Sequence, residues 1–285
     1  MSVTTMNDTS STGTAQRPFY ALLVGIDEYK HPMVNDLRGC VNDVRSVQET
    51  LVRRFGVPEE NILTLTDAQA THQAIKDAFR THLIDRARAW DAAGRPGEPP
   101  AFLFHYSGHG SQALDVTGTE PDGLDETIVP HDSRTEGVYD IKDWELGLLA
   151  GELAAISDNV TIVLDSCHSG SGLRGEDQAL ARRIPPDLRP QPTQRPPEQR
   201  STRSLTGPSD WLEGGHYVLI AGCRDRELSN EYLPREGSRT DWQGAMTYFL
   251  VRELNALPPG QAVTYAELHR RVRHHVNSVY PQQTP

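Results

Sequence analysis

Apolar positions along this chain fall into short blocks of two kinds. Residues 19–26 (FYALLVGI), 61–66 (NILTLT), 101–106 (AFLFHY), 161–164 (TIVL) and 216–221 (HYVLIA) are compact apolar or β-branched runs bounded by polar residues and glycine. Runs of that length and composition predict core strands. Between them, apolar residues recur at helical spacing. Val44, Val47, Leu51 and Phe55 form one such face, closed by Gly56 as a C-terminal cap. Ile75, Phe79, Leu83 and Ala87 form a second, longer one behind Thr71 as its N-cap. Further helices are expected over residues 144–156, 244–254 and 265–279. Strands alternating with helices predict an α/β fold, a mostly parallel β-sheet flanked by helices on both faces.

The gaps in this pattern divide the chain. Residues 1–17 lack any apolar core and read as a disordered tail, not a secretory leader. Residues 27–42 are irregular, with Pro32 and Gly39, and residues 91–100 form a Gly- and Pro-rich loop. The stretch 112–143, rich in Asp, Gly and Thr, is too broken for a helix and predicts short hairpins and loops. Residues 174–208 hold seven Arg and seven Pro with almost no large apolar side chain, so the region 174–213 is expected to be a flexible linker. The last residues, YPQQTP, announce no further element, as in a chain truncated at its C-terminus.

Composition narrows the class. With 285 residues the chain can build one large α/β domain. A net charge of −11 disfavours nucleic acid as a partner. No window approaches the roughly 18 apolar residues of a membrane span. Three cysteines (Cys40, Cys167, Cys223) make no disulfide framework, which points to a reducing, cytoplasmic setting. A monomer is expected.

The chemistry gathers at two strand ends. The run at 161–164 leads into Asp165, Ser166, Cys167, His168, Ser169 and Gly170, and the run at 101–106 leads into Ser107, Gly108, His109 and Gly110. Ligands in α/β sheets collect beyond the carboxyl ends of strands, so Cys167 and His109, 58 residues apart in sequence, can meet there as nucleophile and base. A thiol titrating near ~8.5 needs such a base, and imidazole is suited to that range. Backbone N–H groups of Gly110 and Cys167 are placed to hold an oxyanion. A tyrosine-phosphatase loop is a poor rival, because six residues and not five separate Cys167 from Arg174. No paired Cys or His spacing suggests a metal site.

The tracts YSGHG at 106–110 and DSCHSG at 165–170 resemble the two catalytic signatures of the metacaspases, caspase-like cysteine peptidases. GCVND at 39–43, HYVLIAGCRDRELSNE and GAMTYFL fit as well. The resemblance implies a caspase-like sheet, a large-subunit region over 18–173 and a small-subunit region over 214–285. It implies His109 as base and Cys167 as nucleophile. It also implies an acidic pocket for Arg or Lys, at Asp165, Asp43, Ser107 and Cys40. Two carboxylates there suit a guanidinium, which pairs bidentately. Many members bind calcium; Asp125 and Asp143 match two of the acidic positions, whereas Trp144 and Arg174 stand where aspartates are expected. Calcium, like any other cofactor, is therefore expected to be dispensable.

The resulting expectation is a cysteine endopeptidase acting on proteins or peptides with exposed Arg or Lys. Its rivals are a silent caspase-like binding module and a cysteine hydrolase of other specificity. An Arg-directed peptidase with an Arg-rich linker beside its site presents itself with substrate. Arg189 and Arg195 precede prolines, and Arg174 lies too near Cys167 in sequence to reach back across the site, so these three are set aside. Arg182, Arg183, Arg200 and Arg203 remain as self-cleavage positions, with Arg183 and Arg203 foremost.

Overall fold

A computed structural model describes residues 17–116, 118, 120, 122–167, 181–191, 216–224, 227–234 and 241–285. The chain begins with β1 (Phe19–Gly25), α1 (Cys40–Phe55) and β2 (Ile62–Thr66). Next come α2 (His72–Ala78) and α3 (Asp85–Ala92), joined by a wide π-type turn at Phe79–Ile84. Then follow β3 (Ala101–Ser107), β4 (Gly110–Leu114), β5 (Leu124–Ile128), β6 (Ile141–Lys142), α4 (Asp143–Ala154) and β7 (Val160–Asp165). The last elements are β8 (Tyr217–Ala221), β9 (Glu231–Tyr232), β10 (Gln243–Gly244), α5 (Ala245–Ala256) and α6 (Tyr265–Val279).

Five strands form the main sheet in the order β2-β1-β3-β7-β8, every neighbour parallel. Side chains alternate across a strand, and that alternation splits the core in two. Leu22, Val24, Phe102, Phe104, Ile162 and Leu164 face the layer containing Phe79, Leu83 and Leu149. Ala21, Leu23, Leu103 and Val163 face α1, α5 and α6 through Val47, Phe249, Leu268 and Val272. The sheet is thus covered on both faces, in agreement with the alternating pattern of the sequence.

Local rules account for the helix ends. Thr71 Oγ1 accepts from Ala74 N at 3.2 Å. Gly56 closes α1 with φ 65°, a left-handed turn open to glycine. The wide turn has its own reason. Ile75, Phe79, Leu83 and Ala87 repeat every four residues, slower than the ~3.6 of an α-helix, so a regular α-helix would gradually rotate them off the core. One wider turn keeps all four buried.

The 112–143 insert forms a small antiparallel sheet, β4-β5-β6, as short hairpins. One stretch departs from expectation. Residues 181–191 do not behave as a free linker: they run along β4, with bridges Gly110↔Arg183 and Ala113↔Asp187. Arg182 is fully buried among acids, and ion pairing supplies what the segment lacks in apolar side chains. The terminal YPQQTP adds no further element, as expected, and packs against the body with Gln283 fully buried. The rest of the linker and almost all of the N-terminal tail lie outside the described residues.

Candidate active site

The carboxyl ends of β3 and β7 lie side by side, Ser107 paired in register with Asp165. Both are completely buried. His109 and Gly110 follow β3 directly, and Cys167 follows β7, so one edge of the sheet carries both signature tracts. The N-terminus of α1 brings Cys40 and Asp43 to the same place. Gly39 offers no side chain to cap that helix. Asp27 does so instead, accepting from Cys40 N at 2.8 Å and Val41 N at 3.2 Å, while Glu231 accepts from Gly39 N at 2.7 Å. Carboxylates suit the positive end of a helix. Asp27, Cys40 and Glu231 lie within 4.8 Å of one another, but the hydrogen bonds to the helix already engage both carboxylates.

A single arginine fills the acidic pocket. Arg182 Nη2 pairs with Asp43 Oδ2 at 2.8 Å, and Nη1 donates to Ser107 Oγ at 2.7 Å. Nη1 lies 3.4 Å from Asp165 Oδ2, and Nη2 lies 3.9 Å from Glu231 Oε1. The walls are themselves tied down. Ser107 Oγ donates to Asp43 Oδ2 at 2.6 Å, and Asp165 accepts from Ser229 Oγ at 2.6 Å and Thr247 Oγ1 at 2.7 Å. Gly244 N donates to Asp43 Oδ1 at 2.9 Å. A Cβ at Gly244 would fall 2.2 Å from Asp165 Oδ2 and 2.3 Å from Arg182 Nη1, so only glycine leaves the pocket open. Burial pushes the Asp43 carboxyl up to about 7, with Arg182 pulling it back down.

The backbone of Arg182 is held as firmly as its side chain. Its carbonyl oxygen accepts from Gly110 N at 3.0 Å and from Cys167 N at 3.2 Å, the two N–H groups picked out as an oxyanion cradle. Its N–H donates to Ser229 O at 2.9 Å, and Ala181 bridges Asn230 antiparallel. A Cβ at Gly110 would meet the Cys167 carbonyl oxygen at 1.9 Å, which explains the glycine there.

His109 is fully buried. Its Nε2 lies 2.7 Å from the Asn35 carbonyl oxygen, which can only accept, so the proton sits on Nε2 and Nδ1 keeps its lone pair. Tyr29 fixes the residue twice, donating from its hydroxyl toward neither ring nitrogen but accepting from His109 N at 2.8 Å, and tilting against the imidazole with centroids 5.0 Å apart. Burial pushes His109 down to about 4, so the ring is neutral at pH 7 and able to take a proton. Cys167 Sγ accepts from Ser229 N at 2.7 Å and lies 3.2 Å from Ser229 O. Buried Cys223 is its neighbour, its thiol pushed up first by the contact with Cys167.

The structure therefore brings Asp43, Ser107, Asp165 and Cys40 around one guanidinium and places His109, Gly110 and Cys167 at its carbonyl end. Of the self-cleavage arginines named from sequence, two lie within the described residues. Arg182 occupies the pocket, and the Gly110↔Arg183 bridge carries Arg183 to the far side of the same peptide bond. Arg174, Arg200 and Arg203 lie outside the described residues. Glu231, Ser229, Thr247 and Gly244 complete the pocket without having been assigned from sequence, although they lie in the HYVLIAGCRDRELSNE and GAMTYFL tracts. Asp125 and Asp143 stand apart from this site, on the small sheet and α4. Asp125 pairs with Lys142 Nζ at 2.7 Å, and the same ammonium donates to Leu114 O at 2.7 Å. Burial and the nearby Glu126 and Asp125 push Asp143 well up.

Comparison with known proteins identifies the family and the fold. The profile described as "Metacaspase, peptidase C14 domain" matches residues 20–175. Metacaspase-2 of Arabidopsis thaliana is 31% identical over 264 residues, which is 91% of this chain and 57% of the relative. Metacaspase-1 of Schizosaccharomyces pombe is 38% identical over 160 residues, 56% of this chain and 36% of the relative. The chain thus spans well under two thirds of these relatives' length. Among solved structures, protein GSU0716 of Geobacter sulfurreducens matches with a TM-score of 0.60 at 24% identity, covering 94% of this chain and 91% of that one. Caspase-1 of Spodoptera frugiperda matches with a TM-score of 0.54 at 11% identity, covering 98% and 85%. At those identities the likeness is one of fold. With more than half of its length inside the family profile, the chain belongs to the metacaspases, caspase-like cysteine peptidases of the C14 group.

Proposed function

We propose that this chain is an endopeptidase cutting after arginine, and more slowly after lysine, and that its own Arg182–Arg183 bond is a substrate. One observation carries the reading: Arg182 has its guanidinium among Asp43, Ser107 and Asp165 while its carbonyl oxygen accepts from Gly110 N and Cys167 N. A residue held at both ends in this way presents its carbonyl carbon beside the Cys167 backbone.

The chemistry follows from the groups present. His109 Nδ1 takes the proton of Cys167 Sγ, and the thiolate adds to the carbonyl carbon. The oxyanion is held by the two N–H groups. Collapse breaks the C–N bond, the amine leaves with the proton from His109, and a thioester remains. Water then gives a proton to His109 and adds to the thioester; the carboxylic product departs, and the sulfur recovers its proton as a thiol.

Intact-mass analysis tests the self-cleavage. Fresh protein is expected to convert to fragments 1–182 and 183–285, and Cys167→Ala to remain one chain. On fluorogenic peptides differing only before the bond, Arg should exceed Lys, and Asp should not be cut. Loss of the nucleophile should cost at least about a thousandfold, and His109→Ala about a hundred- to ten-thousandfold. Cys167→Ala within a few-fold of the parent, or preference for Asp, would refute the reading.

We further read the enzyme as independent of calcium. The support is Lys142, whose ammonium sits on Asp125 in the corner that a divalent ion would share. Activity should persist in a chelator; silence reversed only by millimolar Ca²⁺ would overturn this.

A further inference from the structure

Beyond Arg182, the segment Arg183–Pro190 lies along the protein in a register that reads side chains as well as backbone. Ile184 N donates to Gly110 O at 3.2 Å and Asp187 N to Gln112 O at 2.7 Å, so the segment adds a parallel strand to β4. Ile184, the second residue after the Arg182–Arg183 bond, is buried against Val34, Val129 and Tyr29. Ser111 Oγ lies 3.0 Å from Pro185 O, which also accepts from Arg134 Nη1 at 3.0 Å. Arg189, the seventh residue, places a guanidinium in a second cradle. Nη1 donates to Thr135 O and Nη2 to Val138 O, each at 2.8 Å, with Cζ 4.8 Å from the Tyr139 ring centroid. Tyr139 Oη donates to Pro190 O at 3.0 Å.

Much of this surface is also held by contacts within the body of the protein. Ser133 Oγ and His72 Nδ1 both hold Tyr139 O, at 3.0 and 2.9 Å, and Thr135 Oγ1 donates to Asp132 O at 2.7 Å. The Arg134 guanidinium is fixed by Asp140 at 2.7 and 3.0 Å, and its backbone holds φ 67°, which a non-glycine residue adopts only under constraint. A surface braced in this way by its own body suits other chains in the same register, because less of it has to be ordered on binding. Within the segment, Asp187 pairs with Arg189 at 2.7 Å and supports the arginine's pose.

We propose that this surface is an extended subsite for the leaving side of protein substrates. It selects an aliphatic residue two positions after the cut bond and an arginine seven positions after it, with Tyr139 and the carbonyls of Thr135 and Val138 reading that second guanidinium. The proposal rests on the arginine-directed reading above and adds a class of substrate: extended basic segments with two arginines seven residues apart.

The test uses the whole self-processing protein and internally quenched decapeptides of sequence ARRIPPDLRP, with products identified by mass so that only the cut after the first arginine counts. Replacing the isoleucine by Asp, or the last arginine by Gln, should each lower kcat/KM about tenfold, the scale of one lost contact of ~1.4 kcal/mol. A docked 183–190 segment competes equally with every decapeptide, so these ratios are insensitive to it. In Tyr139→Ala the Arg-to-Gln ratio should fall toward one while the Ile-to-Asp ratio persists, which a general loss of folding would not produce. Equal rates whatever stands at the second and seventh positions would overturn the inference alone. So would an Arg-to-Gln ratio unchanged in Tyr139→Ala. A decapeptide left whole after its first arginine would overturn the arginine-directed reading and this inference with it.

Discussion

Asp43 sets how the pocket responds to pH. Its carboxyl, pushed up to about 7 by burial, must be ionised to pair with a guanidinium at 2.8 Å. Arginine binding and protonation of Asp43 therefore oppose each other, and cleavage after Arg should weaken as pH falls through about 7. For folding the sign is reversed: a raised carboxyl binds its proton more readily folded than unfolded, so its contribution to stability declines from 3.8 up to about 7. His109, near 4, leaves a separate limb at lower pH. The measurement is a pH profile of kcat/KM for an Arg peptide in the parent and in Asp43→Asn, which should lose about a hundredfold in rate and flatten near 7. A parent profile flat between pH 6 and 8 would contradict the assignment. His109 and Cys167 were legible because each follows a strand whose apolar pattern is plain, whereas Asp43, Ser107 and Asp165 were named only through the family resemblance. Asn35, Ser229 and Glu231 were not legible, because they act through backbone atoms or from loops and a two-residue strand whose position only the tertiary fold decides. The choice between Arg182 and Arg183 was also closed to sequence, since the two differ only in register against Gly110.

At the level of elements, the strands and helices followed from periodicity, and their exceptions have physical causes. The face of α2 and α3 reads as one regular helix, yet its four-residue repeat is accommodated by the wide turn at Phe79–Ile84. The tract around Ala181–Gln191 reads as linker because it buries few apolar groups; it is held by Arg182, Arg189 and backbone bridges, interactions that composition does not register. Helix α1 carries Asp43 in its first turn, so what ends that helix can be separated from what the helix does. Gly56 lies at the opposite end with φ 65°. Gly56→Ala should cost about 1 kcal/mol of stability through the left-handed cap, with cleavage after Arg unchanged. Chemical denaturation alongside peptide assays checks this. A parallel drop in activity at a temperature where the variant is folded would show that the cap also positions the pocket.

Across the whole molecule, the pocket is closed from the far end of the chain. The two signature tracts come from β3 and β7, but Ser229, Asn230 and Glu231 arrive after β8, and α5 supplies Thr247. These later pieces are braced by residues near the C-terminus. Gln283 is fully buried, donating from Nε2 to Gly222 O at 2.9 Å and accepting at Oε1 from Asn230 N at 3.1 Å. Tyr280 Oη donates to Glu231 O at 2.7 Å, and Thr284 N donates to Glu227. One link further, Ser229 Oγ holds Asp165 Oδ1 at 2.6 Å. Gln283 thus acts through Ser229 and Asn230 as a positioning residue: it keeps the loop over the pocket without touching the arginine. Sequence offered no sign of this, because an amide in a Pro-rich tail has no periodicity to betray its burial. Gln283→Ala leaves Gly222 O and Asn230 N without this partner inside the protein, at about 1–3 kcal/mol. Peptide cleavage after Arg should drop about tenfold, chiefly through a raised KM, and Gln283→Asn should recover little because its amide is one methylene short of both partners. Self-cleavage, whose substrate is already in place, should slow less than cleavage of added peptide. A fall confined to kcat, equal for both reactions, would show that the tail serves the chemistry at Cys167 and not the shape of the pocket.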